Sequence, residues 1–311
     1  MGWVKALKSP GHITEAIIHF NKAREGLEKS FSNVDVSRSL FDALNKIQTE
    51  WGVHEGDQEI GEIKAFQTMI LKGLETEDKI KFLQSEEIKD LVSFQPQIMN
   101  HYTLRMHRYR PGREIDPELA KKASREHHRA VNAYGRCLSE KNDVARESMI
   151  KRLAELLYII RSNIAHGEKT PYGPDLDKKE RDNKVCEVAI PLQILLVNAL
   201  LDYPDQKLIV YGTLAPEDVN RNILSDLQGS WENCSVHGCI EKINGLSFFV
   251  WQPNEPTIDL RLFTSAILPK SWLQLDQFEG SDYRRILVPI VKSDKMVVAN
   301  IYAAGRNPSK L

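Results

Sequence analysis

The sequence predicts a two-part chain of multidomain α and α+β class: an all-α helical bundle over residues 1–202, then a small mixed α+β domain over residues 207–311. Three observations carry this reading. From Ile13 to about Leu201 apolar residues recur at three- and four-residue steps, the spacing of a buried helix stripe. After Tyr203-Pro204-Asp205 the pattern changes to short runs rich in Val, Ile, Leu and aromatic residues. A chain of 311 residues, 41% hydrophobic and 27% charged, is also long enough to bury two cores.

Within the helical part the clearest element starts at Asn142, a natural N-cap. It runs through Met149, Leu153, Leu156, Ile160 and Ile164 and stops at Gly167. A second strong helix covers about Asp182 to Leu201. Weaker helical patterns cover Ile13 to Ser30, Val36 to Trp51, Ile60 to Leu74, Glu86 to Arg108 and Pro117 to Leu138. After the short linker Asp202 to Gln206, strands are expected at Lys207 to Tyr211, Leu246 to Trp251, Arg285 to Val291 and Met296 to Tyr302. Two helical pieces, Pro216 to Leu227 and Pro269 to Phe278, lie among them.

Composition narrows the function classes. Lys and Arg total 42 against 43 Asp and Glu, so no whole-molecule field draws in nucleic acid or anionic lipid, and any such partner needs a local patch. Cys137, Cys186, Cys234 and Cys239 form no Cys-x-x-Cys pair and read as reduced, packed thiols of a cytoplasmic protein. The most apolar stretch, Val188 to Leu201, is short for a membrane span and contains Pro191, Gln193 and Asn198, so no membrane partner is expected. No Walker A loop, dinucleotide glycine fingerprint, His-Glu-x-x-His or nucleophile elbow occurs, and the nine histidines show no metal spacing. No metal or cofactor is expected.

Three segments of the second part stand together: Tyr211-Gly212-Thr213-Leu214 after a strand, Leu275-Asp276-Gln277-Phe278-Glu279-Gly280 followed by Tyr283 and Arg285, and Tyr302 on the last strand. On local features alone Glu279 reads as an acid at a helix end, and the three tyrosines equally as core aromatics with hydroxyls at the rim. Taken in order, the segments resemble the γ-glutamylcyclotransferase (AIG2-like) family over about Lys207 to Ala304. The resemblance implies a small α+β barrel that releases 5-oxoproline from γ-glutamyl amines. In it Glu279 serves as general base and then acid, and Tyr211, Gly212, Thr213, Leu214, Tyr283, Arg285 and Tyr302 hold the substrate. The chemistry suits these residue types. The α-ammonium must lose a proton before attacking the γ-carbonyl, and the departing amine must gain one. Gly212 allows close backbone approach, and successive N–H groups can form an anion nest.

The strongest helix ends in Arg161-Ser162-Asn163-Ile164-Ala165-His166. This resembles the Arg-x4-6-His signature of HEPN domains, helical bundles that often dimerise and include metal-independent ribonucleases. The resemblance implies catalytic roles for Arg161 and His166 in a homodimer, and a place in a prokaryotic toxin or antiviral system. Residues five apart on a helix differ by about 140° in direction, so a symmetric dimer would have to complete such a site. A plain reading stands beside it: His166 favours a helix C-terminus, and Arg161 pairs with an acid across the bundle. RNA would be held by Arg105, Arg108, Arg110, Arg113 and Tyr109, within a stretch from His101 to Arg129 of net charge +4. The same stretch also reads as a solvated helix face.

Three function classes therefore stand: a cyclotransferase fused to a ribonuclease, a cyclotransferase whose helical part dimerises or binds partners, and a pair of non-catalytic binding modules.

Overall fold

A computed structural model of the chain describes residues 3–7, 11–56, 61–95, 97–109, 114–165, 176–215, 220, 222–292 and 295–305, with the backbone alone for 176–179. It divides into two compact units. One is residues 22–199; the other joins residues 1–21 to residues 200–311. The first 21 residues, placed in the bundle from sequence, thus belong with the strands. Their helical periodicity reports a buried face and says nothing about what that face packs on.

Among the described residues ten α-helices precede the first strand: α1 (Gly11–Glu28), α2 (Asn33–Glu55), α3 (Glu62–Gly73), α4 (Thr76–Leu83), α5 (Glu86–Ser93), α6 (His101–Met106), α7 (Pro117–Ala123), α8 (Arg125–Glu140), α9 (Asp143–Ala165) and α10 (Leu176–Leu200). The expected cap of α9 is present: Asn142 Oδ1 accepts the Ala145 N–H at 2.8 Å, a contact worth about 1 kcal/mol. Its expected stop, Gly167, lies outside the described residues. Met149, Leu153, Leu156, Leu157 and Ile160 of α9 are fully buried, as are Leu40, Leu44 and Ile47 of α2. In α10 the buried Gln193 accepts from the Ser37 hydroxyl of α2 at 3.0 Å. By length and composition Glu180–Leu200 in α10 could cross a membrane, so the apolar stretch is longer than the sequence reading allowed; 61% of it is buried within the chain.

Two expected helices are broken. The pattern from Glu86 to Arg108 splits into α5 and α6, because Pro96 disfavours helix at Gln95 and supplies no N–H donor. The chain restarts at Asn100, whose Oδ1 accepts the Thr103 N–H at 3.3 Å. The pattern from Pro117 to Leu138 breaks at Ser124, whose hydroxyl bonds back to the Ala120 carbonyl at 2.8 Å. Helix α4 was not anticipated; eight residues carry too little periodicity.

The other unit is a closed mixed barrel built from β1 (Lys207–Val210), β2 (Ser230–Ile243), β3 (Leu246–Trp251), β4 (Thr257–Thr264), β5 (Tyr283–Lys292) and β6 (Lys295–Ala304), with short helices α11 (Asn222–Ser225) and α12 (Trp272–Glu279). Strand order is β1-β4-β2-β3-β6-β5, and additional β1–β6 and β2–β5 pairings close it. All but two neighbouring pairs are antiparallel; β1–β6 and β3–β6 are parallel. Strands β2 and β4 were missed from sequence. In β2 polar residues alternate with Cys234, Val236 and Gly238 at the buried positions, and β4 follows Pro253-Asn254-Glu255-Pro256, which reads as loop.

The 14-residue β2 pairs with β4 up to His237 and with β3 from Gly238 onward. Gly238 is the pivot. Its φ is +138°, and a Cβ there would sit 2.4 Å from the Val250 carbonyl oxygen, so only glycine permits the bend. Inward-facing Ile209, Val236, Leu262, Ile286, Val288, Ile290, Ala299 and Ile301 fill the barrel at the period of two that strands impose. A second cluster covers the outside, where Leu208, Val210 and Tyr302 meet Leu224 of α11 and Trp272 and Leu275 of α12. The N-terminal segment completes the unit. A 3-10 turn, Trp3–Ala6, lies against β6, and the Asn21 amide bonds both Leu287 N–H (2.8 Å) and Leu287 carbonyl (2.9 Å). Asn21 thereby satisfies the part of the β5 edge that β2 does not reach.

Candidate functional site

An open cleft lies at the end of β1. Its lining includes Tyr211, Gly212, Thr213, Leu214, Glu279, Tyr283 and Tyr302. Three segments separated in sequence by up to about ninety residues therefore meet in one place, and every residue of the expected substrate set except Arg285 lines it.

The loop after β1 turns at once. Tyr211 is extended (φ −138°), and Gly212 is left-handed (φ +74°) and opens a 3-10 turn, Gly212–Leu214. A Cβ at Gly212 would meet nothing within 4 Å, so the glycine is needed for its backbone angle and not for space. Ala215 N–H bonds Gly212 carbonyl at 3.0 Å, and Asn220 N–H bonds Thr213 carbonyl at 3.0 Å, which pins the loop. The first N–H groups of such a turn have no acceptor within it.

Glu279 is the last residue of α12. Gly280 (φ +74°) stops the helix by returning its N–H to the Asp276 carbonyl at 3.1 Å. Burial pushes the Glu279 carboxyl up to about 7, and the neighbouring Asp276 charge adds to the rise. A helix C-terminus also disfavours an anion. Among the described residues nothing hydrogen-bonds its carboxylate. Its charge in turn contributes to the raised pKa of Tyr211, Tyr283 and Tyr302, although burial is the larger cause for each.

The tyrosine hydroxyls are already engaged. Tyr211 Oη donates to the Tyr302 carbonyl (2.6 Å) and accepts from Phe249 N–H (3.0 Å), bridging β6 and β3. Tyr283 Oη donates to the Ser247 carbonyl at 3.0 Å, and its ring stacks on Phe248. Tyr302 Oη donates to Asp276 Oδ1 at 2.7 Å. These phenols hold the walls in place, each donating its hydroxyl proton to the protein.

Arg285 is placed differently from the sequence expectation. Its guanidinium forks onto Asp276, Nε to Oδ1 and Nη2 to Oδ2, both at 3.1 Å, and lies 4.0 Å from the Trp272 ring centroid. The guanidinium is held between a carboxylate and an indole face, and Arg285 does not line the cleft. Conversely, Gly245, Leu246, Ser247 and Phe278 line it and were not singled out from sequence. The available signal was the Asn244-Gly245 pair between two apolar runs; both residues have positive φ (52° and 83°), the geometry of a two-residue hairpin turn.

The expected ribonuclease set is not assembled among the described residues. His166, Arg110 and Arg113 lie outside them. Arg161 is ion-paired with Glu62 of α3, which also accepts from Tyr158 Oη at 2.9 Å, and its guanidinium lies 5.6 Å from the Tyr158 ring centroid. Arg105 and Arg108 are exposed, Arg105 beside the Tyr102 ring at 5.9 Å, and Tyr109 is half-buried. A smaller cavity in the helical unit is lined by Ile98, Ile160, Asn163, Arg181 and Val185, among others. Its polar groups hold the segment before α6: Arg181 donates to the Gln97 carbonyl (2.9 Å), and Asn163 bonds Met99 carbonyl (2.8 Å) and His101 N–H (3.1 Å). Among the described residues no three His, Cys, Asp or Glu side chains are arranged to hold a metal ion.

No protein-family model matches the chain, and a search of curated proteins finds no match. Among solved structures it is similar to YkqA from Bacillus subtilis, at 24% identity over 32% of this chain and 35% of that one, with a TM-score of 0.27. The match thus spans about a third of the length of YkqA.

Proposed function

We propose that the barrel unit is a γ-glutamyl cyclotransferase and that Glu279 moves its protons. The supporting observation is a half-buried carboxylate of pKa about 7, without a hydrogen-bond partner among the described residues, in the cleft that the Tyr211–Leu214 loop also lines. A group half-ionised at neutral pH is as ready to accept a proton as to give one.

In the reaction the substrate α-ammonium gives a proton to Glu279, and the freed amine attacks the γ-carbonyl carbon. A ring C–N bond forms and the carbonyl electrons move onto oxygen. As they return, the bond to the departing nitrogen breaks. Counting that first one, two protons pass from the α-nitrogen to the departing nitrogen, each carried by Glu279. The products are 5-oxoproline and a free ammonium. The N–H groups of the Gly212 turn are suited to the substrate carboxylate or the developing oxyanion. The rigid cleft contributes by holding a chain that must fold on itself. The test is release of 5-oxoproline and free amine in equal amounts from a panel of γ-glutamyl amines; no release from any of them contradicts the reading.

For the helical unit the Arg161–Glu62 pair favours a non-catalytic bundle, since a guanidinium held by a carboxylate is less available to a phosphate. Incubation with RNA in the presence of chelator should show no cleavage. Cleavage abolished by both Arg161→Ala and His166→Ala would instead establish the ribonuclease.

A further inference from the structure

The Glu279 cleft carries two large apolar side chains that the fold does not bury. Leu246 is 45% exposed and Phe278 43% exposed, although an isolated exposed apolar residue is ordinary. These two are not isolated from each other. One begins β3 after the Asn244-Gly245 turn, the other immediately precedes Glu279 on α12, and both line the same cleft.

The polar inventory of the lining points the same way. The three phenolic hydroxyls are engaged with Tyr302 carbonyl and Phe249 N–H, Ser247 carbonyl, and Asp276. Arg285 is turned to Asp276 and Trp272. Among the described lining residues Glu279 is the sole charged side chain. A carboxylate on the departing half of a substrate would sit near another carboxylate with no cation to meet it, which is unfavourable. A hydrocarbon stem there would remove water from Leu246 and Phe278.

We infer that Leu246 and Phe278 form a leaving-group subsite for an apolar stem, so that the substrates taken are γ-glutamyl alkylamides or arylamides in preference to γ-glutamyl amino acids. This rests on the cyclotransferase reading of Glu279. The nitrogen that Glu279 protonates must lie in the cleft that Leu246 and Phe278 also line, and the stem carried by that nitrogen then extends along this apolar lining.

The experiment uses a matched pair of probes, γ-glutamyl-isopentylamide and γ-glutamyl-leucine, which differ by one carboxylate. Their affinities for full-length Glu279→Gln protein are measured by calorimetry, with γ-glutamyl-ethylamide and γ-glutamyl-butylamide as a chain-length series. Desolvation of a carboxylate with no cation to meet it should make the amide bind at least about tenfold more tightly than the leucine compound in this variant, with a larger ratio in kcat/KM for wild type, where the Glu279 charge repels it as well. Affinity should rise about fourfold per methylene buried. Leu246→Ala and Phe278→Ala should flatten that rise, and Leu246→Arg should recover binding of γ-glutamyl-leucine. Equal or tighter binding of γ-glutamyl-leucine, or a flat chain-length series, overturns the subsite. Turnover of both probes by wild type with equal kcat/KM also overturns it and leaves the cyclotransferase reading standing. A steep series with no 5-oxoproline from wild type does the reverse: the subsite stands and the reaction falls.

Discussion

Replacing either partner of the Asp276–Arg285 pair should move the Glu279 pKa in opposite directions. Asp276 lies one helical turn before Glu279, and residues so spaced have Cβ atoms about 5–6 Å apart. For two charges about 6 Å apart at an effective dielectric of roughly 40, suited to a half-buried site, Coulomb's law gives about 1.4 kcal/mol, or about one pH unit. Asp276→Asn keeps an oxygen for Tyr302 and Arg285 while removing the charge, so Glu279 should fall from about 7 by about one pH unit. Arg285→Gln leaves Asp276 without its bidentate counter-charge, so Glu279 should rise. The groups facing Glu279 from other elements are the Tyr211, Tyr283 and Tyr302 phenols, which stay neutral throughout this range. Carbon-detected NMR of the Glu279 carboxyl, assigned with Glu279→Gln, reads the shift directly. The acidic limb of kcat/KM for 5-oxoproline release should follow it. A purely structural role for the pair would destabilise both variants without opposite shifts; shifts of the same sign, or none, refute the electrostatic argument.

Three further outcomes follow from the packing. Gly238→Ala places a Cβ on the Val250 carbonyl at 2.4 Å and should destabilise the barrel unit by about 3 kcal/mol or more, read by denaturant unfolding; a change below 1 kcal/mol would remove the pivot role. His127 is buried as the neutral ring, accepting Ile98 N–H and facing the Val92 carbonyl, each at 2.9 Å, and burial holds its pKa below the ordinary value. Its folded-state value being depressed, its contribution is present above the unfolded value of about 6.5 and lost as pH falls. The stability difference between wild type and His127→Gln should therefore shrink from pH 7.5 to pH 5, and a constant difference would contradict this. A double-mutant cycle on Glu62 and Arg161, whose side chains are 47% and 30% exposed, should give a coupling of about 1 kcal/mol or less; a much larger value would mean a shielded pair.

How far the molecule can be read from its sequence depends on the range of each signal. Helix α9 was legible because its cap, its apolar stripe and its length all act within the helix. Strands β1, β3, β5 and β6 were legible as dense apolar runs, whereas β2 alternates polar residues with few buried ones and only its neighbours make it a strand. That Tyr211, Glu279 and Tyr302 share a cleft followed from an ordered pattern of segments; that Arg285 belongs to Asp276 and Trp272 did not. Choosing among possible partners for a guanidinium requires the register of β5 on β6 and the rotation of α12. The Asn21 contact with Leu287 spans 266 positions, and no local pattern encodes it.

The central claim, that Glu279 carries the protons of a γ-glutamyl cyclisation, is tested most directly by comparing 5-oxoproline release by wild type and Glu279→Gln under saturating γ-glutamyl amine at pH 7. The account predicts a loss in kcat of about 100-fold or more, the size of a general acid–base contribution, with binding retained. A Glu279→Gln protein that releases 5-oxoproline at the wild-type rate would contradict it.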